Sequence, residues 1–334
     1  MCEMDDSGIG VIGAGHYLPL NIQTNQDLCE HISSLTSEWI LEKTGIKRRY
    51  HVSEGETCTS MAFNAVERAL AITGIDKDEI GLVIVASFSQ DYLFPPMSAK
   101  IHQLLKLPKE CQIIDLNTNC VGIVTAITVA SERMMNDNSI KYSLVIGAEL
   151  LSKYTDKLDV NTSIFFSDGA TAIVLGKVEN GFGFKSAKFR TDSSTFESVR
   201  MRGGGSSFPI SEKESDEKAF YIEQNGLATW KQAITNLPLT IKQLIDHEGL
   251  TSDDIDFIIF HQANGFLIDY ISKKMKIPAD KTYTNVEEIG NTGSASIGIA
   301  LSEALEKKLI KKGDNLILAG VGAGFNFGAC LIKM

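Results

Sequence analysis

Three residues with reactive or polar side chains stand where apolar segments end or small-residue segments begin. Cys120 follows the segment QIIDLN, His261 follows DFIIF, and Asn291 lies in the glycine-flanked turn EIGNTGSASIG. A cysteine at a helix N-terminus can have a lowered thiol pKa, because the helix macrodipole and the unpaired N–H groups stabilise its thiolate. The pattern therefore predicts a nucleophilic Cys120 capable of covalent catalysis, with His261 and Asn291 as polar partners.

Each of these residues also has a plain structural interpretation. A cysteine in an apolar stretch is more often a small core residue, and an asparagine before a helix is often only a turn or cap residue. His261 could be a lone histidine with a satisfied hydrogen bond. It leaves the carboxyl end of a predicted strand, however, where α/β sheets bind ligands, and this position favours a functional role. The glycine-rich segment GVGAGFNFG, residues 320–328, can present backbone N–H groups to an oxyanion.

Apolar runs that alternate with helical patterns place these residues in an α/β protein. The short, β-branched runs are apolar on both faces, which indicates strands covered by helices on each side. The predicted strands are residues 8–13, 80–86, 112–116, 142–147, 171–175, 255–260, 315–320 and 327–332. The predicted helices are residues 59–73, 121–135, 228–247, 266–275 and 297–309.

A weak internal repeat suggests two copies of one supersecondary plan, although chance similarity between buried strands is the alternative. Three landmarks recur in the same order at nearly the same spacing: Ile80 with Ile255, Cys120 with Ser294, and Gly147 with Gly320. We expect an N-terminal half, residues 1–178, that carries the cysteine, and a C-terminal half, residues 179–334, that carries the histidine and the asparagine. Residues 191–218 are polar and aperiodic, so they form either a functional segment or a solvated surface loop.

The composition narrows the class of protein. A formal net charge of −10 disfavours nucleic-acid binding. The six cysteines have no C-x-x-C spacing and predict reduced thiols, and the six histidines predict no metal site. The acidic first residues lack the pattern of a signal peptide, and no apolar run approaches the length of a membrane span. We therefore expect a soluble, cytoplasmic protein.

Taken together, the motifs resemble those of the thiolase-fold condensing enzymes, and in particular the β-ketoacyl-acyl-carrier-protein synthase III family. The similar segments span nearly the whole chain: SEWILEKTGIKRRY, LFPPMSAKIHQLL, DLNTNCVG, FFSDGATAIVLG, QNGLATWKQAI, HQAN, GNTGSAS and GVGAGFNFGACLIK. The resemblance implies a duplicated thiolase-like fold with five layers, α-β-α-β-α, and two mixed sheets related by a pseudo-twofold axis. It also implies a homodimer that binds no cofactor tightly.

The resemblance implies a two-step condensation that starts fatty-acid synthesis. Cys120 would take the acyl group of an acyl-CoA primer, and malonyl-acyl-carrier protein would then bind. His261 and Asn291 would donate hydrogen bonds to the malonyl thioester oxygen and stabilise the enolate that decarboxylation leaves. The N–H groups of Cys120 and Ala323 would hold the tetrahedral oxyanion.

By the same resemblance, other residues would bind substrate. Trp39 would stack on the CoA adenine, Trp230 and Asn264 would line the pantetheine tunnel, and Phe94 would bound the acyl pocket of the partner subunit. Gly322 would also be a substrate-binding residue.

The chain departs from the family pattern at several positions. Lys43 and Val160 stand where the family has the two arginines of the adenine clamp, and Val321 stands where a phenylalanine shields the acyl-cysteine. Phe266 replaces an arginine that helps to dock the carrier protein. The docking of an acidic carrier could instead use nearby lysines: Lys273, Lys274 and Lys276.

These departures leave other functions open. A secondary-metabolism ketosynthase or acyltransferase with a different primer or acceptor would keep the same three residues. A papain-like protease has the same residue order but would leave the repeat unexplained. A non-catalytic thiolase-fold partner is disfavoured by the intact triad, and a hydroxymethylglutaryl-CoA synthase is disfavoured because its catalytic glutamate has no clear counterpart. The sequence does not fix the primer chain length or whether CoA or a carrier protein holds the extender.

Overall fold

The computed structural model describes residues 7–334, and Cys2, one of the six cysteines expected to be reduced, lies outside the described residues. The strands are β1 (Gly8–Tyr17), β2 (Asn21–Thr24), β3 (Arg48–His51), β4 (Ile80–Ala86), β5 (Gln112–Leu116), β6 (Tyr142–Glu149), β7 (Gly169–Val178), β8 (Gly183–Thr191), β9 (Val199–Arg200), β10 (Glu223–Gln224), β11 (Phe257–Phe260), β12 (Asn315–Gly322) and β13 (Asn326–Lys333). The helices are α1 (Asn25–His31), α2 (Ser37–Thr44), α3 (Cys58–Thr73), α4 (Met97–Leu105), α5 (Gly122–Asn136), α6 (Val160–Ser163), α7 (Gly226–His247), α8 (Gly265–Met275), α9 (Val286–Ile289) and α10 (Ser296–Glu306).

Two mixed sheets form the frame of the molecule. The first has the strand order β1-β7-β6-β4-β5, and the second has the order β11-β12-β13-β8. In the first sheet β4 runs parallel to β5 and β6, whereas β7 is antiparallel to β6 and β1. In the second sheet β11 and β12 are parallel, and β13 is antiparallel to β12 and β8. The strands β11, β12, β13 and β8 thus repeat the directions of β4, β6, β7 and β1.

Helices cover both faces of each sheet, because alternate side chains of the strands are apolar on both sides. Leu82 and Ile84 of β4 pack with α5 and α10 in the layer between the sheets, whereas Val83 and Val85 pack against α3 and α4. The second sheet packs on α5 and α10 with its inner face and on α7 and α8 with its outer face. The architecture therefore has five layers, α-β-α-β-α, as the resemblance implies.

The sequence missed β8, an edge strand that pairs, among residues 7–334, only with β13. Its sequence GFKSAKFRT is largely polar, and most of its residues are exposed or half-buried. An edge strand of this kind lacks the apolar pattern from which strands were predicted. β7 ends at Val178 and β8 begins at Gly183, so the first strand of the second sheet follows the first sheet after a short turn.

Residues 191–218, together with the segment up to β10, fold against the second half. They form short 3-10 turns and the β9–β10 pairing, in which Val199 lies opposite Gln224. The five described cysteines are free thiols. Over residues 7–334 no helix combines the length and the apolar character that crossing a membrane demands.

Candidate active site

A cavity of about 480 Å³ opens between the two halves. Most of the residues that the sequence predicted as catalytic or substrate-binding line this cavity: Cys120, Trp230, His261, Asn264, Asn291, Val321, Gly322 and Ala323. These residues come from the turn before α5, the first turns of α7, the segment between β11 and α8, the turn before α10 and the end of β12, so both halves of the chain build the cavity.

Cys120 lies in the 3-10 turn Asn119–Val121, directly before α5. Asn119 adopts a left-handed conformation with φ of 51°, which asparagine tolerates better than most residues. The predicted lowering of the Cys120 thiol pKa is wrong. Burial and, next, the charge of Glu149 raise this pKa to about 12, and the N–H of Cys120 itself offsets them only in part. The cavity therefore holds a neutral thiol at neutral pH.

His261 is buried and held from behind by Ser296. Ser296 Oγ lies 2.6 Å from Nδ1 of His261 and accepts a hydrogen bond from the N–H of Gln262 at 3.2 Å. Because that oxygen already accepts one N–H, its own proton is free to be donated to Nδ1, which leaves Nε2 as the protonated nitrogen. Burial lowers the pKa of His261 to about 4. A neutral imidazole that donates from Nε2 is the form that this arrangement favours.

Asn291 is oriented in the same way. Its Oδ1 accepts the N–H of Gly293 at 2.9 Å, so the Nδ2 amide group remains as the donor. Its backbone bridges the two halves, since its N–H donates to the carbonyl of Phe165 and its carbonyl accepts from Ser167, both at 2.9 Å. The donor side of the carboxamide is therefore fixed by the local fold.

Two glycines lie where the cysteine turn packs closely against β12 and against the turn that follows Asn291. A Cβ on Gly320 would lie 3.4 Å from Cβ of His261 and 3.5 Å from the carbonyl oxygen of Cys120. A Cβ on Gly122 would lie 2.7 Å from Cβ of Ala86 and 3.3 Å from Cβ of Ser294, in the turn that follows Asn291. The absence of side chains at these two positions brings the cysteine turn against both of its predicted partners.

The segment after β12 borders the cysteine turn. The Nδ2 group of Asn119 donates to the carbonyl of Ala323 at 3.3 Å, and a Cβ on Gly322 would lie only 2.6 Å from the carbonyl of Thr118. Val321 is nearly buried and also lines the cavity. The backbone of residues 321–323 therefore runs directly beside Cys120.

Of the other predicted binding residues, some lie outside the cavity lining and one lies within it. Trp39 and Lys43 lie on α2, outside the cavity lining, with Nζ of Lys43 5.9 Å from the Trp39 ring. Phe94 also lies outside the lining and is 85% exposed. Asn264 lines the cavity, but its Oδ1 caps α8 through Phe266, and its Nδ2 donates to the carbonyl of Lys43 at 3.2 Å.

The three predicted docking lysines lie at the far end of α8, about 12–16 Å from its cavity end at the helical rise per residue. Lys273 forms an ion pair with Asp269 at 2.6 Å, and Lys274 donates to the carbonyl of Ile234 at 2.7 Å. Lys276 ends the helix in a left-handed conformation.

Sequence reasoning missed the apolar walls of the cavity and the groups behind it. The walls include Phe88, Tyr154, Phe196, Met201 and Ile222. Phe88 follows the carboxyl end of β4, so the strand-end argument that identified His261 could have found it. The aromatic and apolar residues near position 200 belong to the polar segment whose role the sequence left open. Within residues 7–334 no group of three or more histidine, cysteine or acidic side chains is arranged to hold a metal ion.

The five-layer architecture and a cavity that unites a cysteine, a histidine and an asparagine from two repeated halves define a condensing enzyme of the thiolase fold. A family model described as 3-oxoacyl-[acyl-carrier-protein] synthase III matches residues 114–193, and the model of its C-terminal part matches residues 245–334.

Full-length relatives agree with these matches. The β-ketoacyl-[acyl-carrier-protein] synthase III of Fusobacterium nucleatum is 35% identical over 97% of this chain and 98% of its own. That of Clostridium perfringens is 37% identical, with the same shares covered. The crystal structure of 3-oxoacyl-[acyl-carrier-protein] synthase III from Aquifex aeolicus is 30% identical, covers 98% of this chain and 100% of its own, and superposes with a TM-score of 0.89. The chain belongs to the 3-oxoacyl-[acyl-carrier-protein] synthase III family and is a condensing acyltransferase.

Proposed function

We propose that this enzyme condenses an acyl-CoA primer with malonyl-acyl-carrier protein through a thioester on Cys120, and thereby initiates fatty-acid synthesis. The observation that carries the proposal is the shared cavity of Cys120, His261 and Asn291, in which internal hydrogen bonds leave one donor on each of the last two residues. The names of the full-length relatives support a β-ketoacyl product that is carried on acyl-carrier protein.

In the first step, Sγ of Cys120 attacks the thioester carbonyl of the acyl-CoA. A carbon–sulfur bond to the enzyme forms, the bond to CoA breaks, and the proton of the cysteine thiol ends on the CoA thiol. The N–H groups of Cys120 and Ala323 hold the tetrahedral oxyanion in our proposal. Because the free thiol is neutral, its deprotonation belongs to this step rather than preceding it.

In the second step, the malonyl thioester oxygen accepts hydrogen bonds from Nε2 of His261 and Nδ2 of Asn291. The bond to the carboxylate breaks, carbon dioxide leaves, and the electron pair forms an enolate that these donors stabilise. The enolate carbon attacks the acyl carbonyl on Cys120 and expels the thiolate, which takes up one proton. Neutral His261 suits this role, since decarboxylation generates the carbanion without a base.

We also propose a substrate path and an assembly. Trp39 and Lys43 bind the CoA nucleotide outside the cavity, Trp230 and Asn264 line the pantetheine tunnel, and the backbone at Val321 and Gly322 borders the acyl group. The exposure of Phe94 supports a homodimer in which it reaches the acyl pocket of the other subunit. No tightly bound cofactor enters these steps, and a cytoplasmic location remains part of the proposal.

The test separates the two steps by intact mass spectrometry and by product assay. With a panel of acyl-CoAs, the wild-type protein should gain the mass of one acyl group, which a digest assigns to the peptide of Cys120, and Cys120→Ser should gain no thioester. His261→Ala and Asn291→Ala should still acylate, but condensation with malonyl-acyl-carrier protein should fall about 100-fold to 1,000-fold, as expected for a lost oxyanion donor.

Normal condensation by either alanine variant would show that the role assignment is wrong. The alternative, a ketosynthase or acyltransferase of secondary metabolism, uses the same cysteine thioester but differs in primer or acceptor. The mass of the acyl group and the identity of the product distinguish it from the proposed reaction.

A further inference from the structure

Glu149 is a buried acidic residue that the proposed steps do not use. It ends β6 at the carboxyl edge of the first sheet, is 0% exposed and lies behind the cavity rather than in its lining. A carboxyl group in such a place is costly unless it is hydrogen-bonded or protonated.

On one side, Glu149 holds the segment that follows β4. Ser89 Oγ donates to Oε2 at 2.5 Å, and the N–H of Phe88 lies 3.3 Å from Oε1 and 3.4 Å from Oε2. Ser89 Oγ in turn accepts the N–H of Leu150 at 2.8 Å. Phe88 lines the cavity, so these bonds fix one of its walls.

On the other side, Glu149 contacts the turn that carries Asn291. Gly293 is in the left-handed region, with φ of 55°, and a Cβ there would lie 2.9 Å from Cγ of Glu149. The N–H of Gly293 is the group that orients Asn291. The next residue, Ser294, donates its hydroxyl to the carbonyl of Ala86 at 2.9 Å and lowers the pKa of the Glu149 carboxyl. One carboxyl group therefore links a wall from the N-terminal half to the donor turn of the C-terminal half.

The titratable neighbours of Glu149 in the described chain are all acids. They are Cys58 on α3, Cys120 before α5 and Tyr154 in the turn Ser152–Tyr154, and the turn Gly293–Ala295 contributes none. Asp91, after β4, acts on Cys58 and Tyr154. Burial raises the pKa of Glu149 to about 8, although hydrogen bonds from Ser89, Ser294 and Phe88 oppose the shift. The carboxyl is therefore neutral near pH 7 and becomes charged above about pH 8.

We propose that Glu149 is a positioning residue, which joins the Phe88 wall to the Asn291 turn and whose charge governs how readily Sγ of Cys120 becomes a nucleophile. When Glu149 is ionised, its negative charge opposes formation of a second negative charge on Cys120. The consequence for catalysis rests on the proposed role of Cys120, whereas the effect on thiol reactivity does not.

The experiment measures the rate at which iodoacetamide alkylates Cys120 between pH 6 and 10, with peptide mass spectrometry to separate Cys120 from Cys58. Glu149→Gln keeps the hydrogen-bonding shape and removes the ionisable proton. We expect wild type and variant to react at similar rates at pH 6.5, and the variant to react about 10-fold faster at pH 9.5, since one pH unit of thiol pKa corresponds to a tenfold change in thiolate.

Asp168→Asn is the matched control, because Asp168 is equally buried but accepts its hydrogen bonds from Val52 and Ser152. Its rate ratio to wild type should be the same at every pH. A constant ratio for Glu149→Gln would overturn the proposal.

If Glu149→Gln does not fold, the pH dependence of the Cys120 alkylation rate in the wild-type protein is sufficient to test the proposal. The logarithm of the rate should rise with a slope near one up to about pH 8 and then less steeply, and a straight line of unit slope to pH 10 contradicts the proposal. Neither experiment uses an acyl substrate. If the protein is not acylated by acyl-CoA but shows the expected pH dependence of alkylation, the proposed function is contradicted and the role of Glu149 is supported.

Discussion

At the scale of single residues, the three candidate catalytic groups are neutral, and His261 and Asn291 are each anchored on one side by a hydrogen bond. Burial keeps the Cys120 thiol protonated and His261 uncharged, and Asn291 has no charge to lose. Since the folded pKa of His261 is about 4, its neutral form persists down to about pH 5 and is lost only as the pH falls through 4. Because His261 and Asn291 are buried, the hydrogen bonds that they donate to a developing oxyanion are worth more than they are in water.

Ser296→Ala tests whether the orientation of His261 matters. Loss of the hydroxyl leaves Nδ1 without its donor, so the Nε2–H tautomer is no longer favoured. We expect condensation to fall about 10-fold, the value of one hydrogen bond, while acylation by acyl-CoA stays near the wild-type rate. Rapid-quench assays of the two half-reactions measure this difference.

The chain offers a matched control for that substitution on the same helix. Ser302 Oγ lies 2.9 Å from Nδ1 of His16, the same pairing away from the cavity. Ser302→Ala should change neither half-reaction. An equal loss of acylation and condensation in Ser296→Ala would indicate a general defect in packing and would contradict the orienting role.

At the scale of elements, the apolar pattern predicted the buried strands well. Residues 80–86 and 112–116 are strands with the predicted bounds. β4 is central and buried, and β5, although it is an edge strand of the first sheet, carries the apolar residues Ile113 and Ile114 between turns. The polar edge strand β8 and the cavity wall near residue 200 had no such pattern.

Glu149 stands at the end of an apolar run, as His261 does, and the same strand-end argument could have identified it. The pKa of Cys120 was predicted in the wrong direction because burial outweighs the helix end, and burial depends on elements far apart in sequence.

The close packing of α5 on the first sheet gives a prediction at this scale. Gly122→Ala adds a Cβ that meets Ala86 at 2.7 Å, so α5 and the cysteine turn must shift. We expect a loss of about 1–3 kcal/mol in the free energy of unfolding, despite the better helix propensity of alanine. Denaturant unfolding measures it. Gly226→Ala, at a helical glycine with no atom within 4 Å of the added Cβ, is the control and should be neutral or stabilising. A neutral Gly122→Ala would contradict the packing argument.

At the scale of the whole molecule, the site exists only where the two halves meet. Cys120 comes from one repeat and Asn291 from the corresponding turn of the other, and the bridge between Phe166 and Asn291 joins the halves beside the cavity. The cavity opens on a protein of formal net charge −10, so an acidic carrier protein is repelled overall and requires a local positive surface.

Charge reversal tests the proposed carrier-docking surface at the end of α8. We expect Lys273→Glu, Lys274→Glu and Lys276→Glu combined to raise the KM for malonyl-acyl-carrier protein about 10-fold at low salt, because rim charges mainly steer association. Acylation by acyl-CoA should be unchanged, and added salt should shrink the difference. Reversal of Lys308, Lys311 and Lys312, which lie after α10, is the control for net charge. An equal rise in KM in both triple variants would assign the effect to total charge and remove α8 from the docking surface.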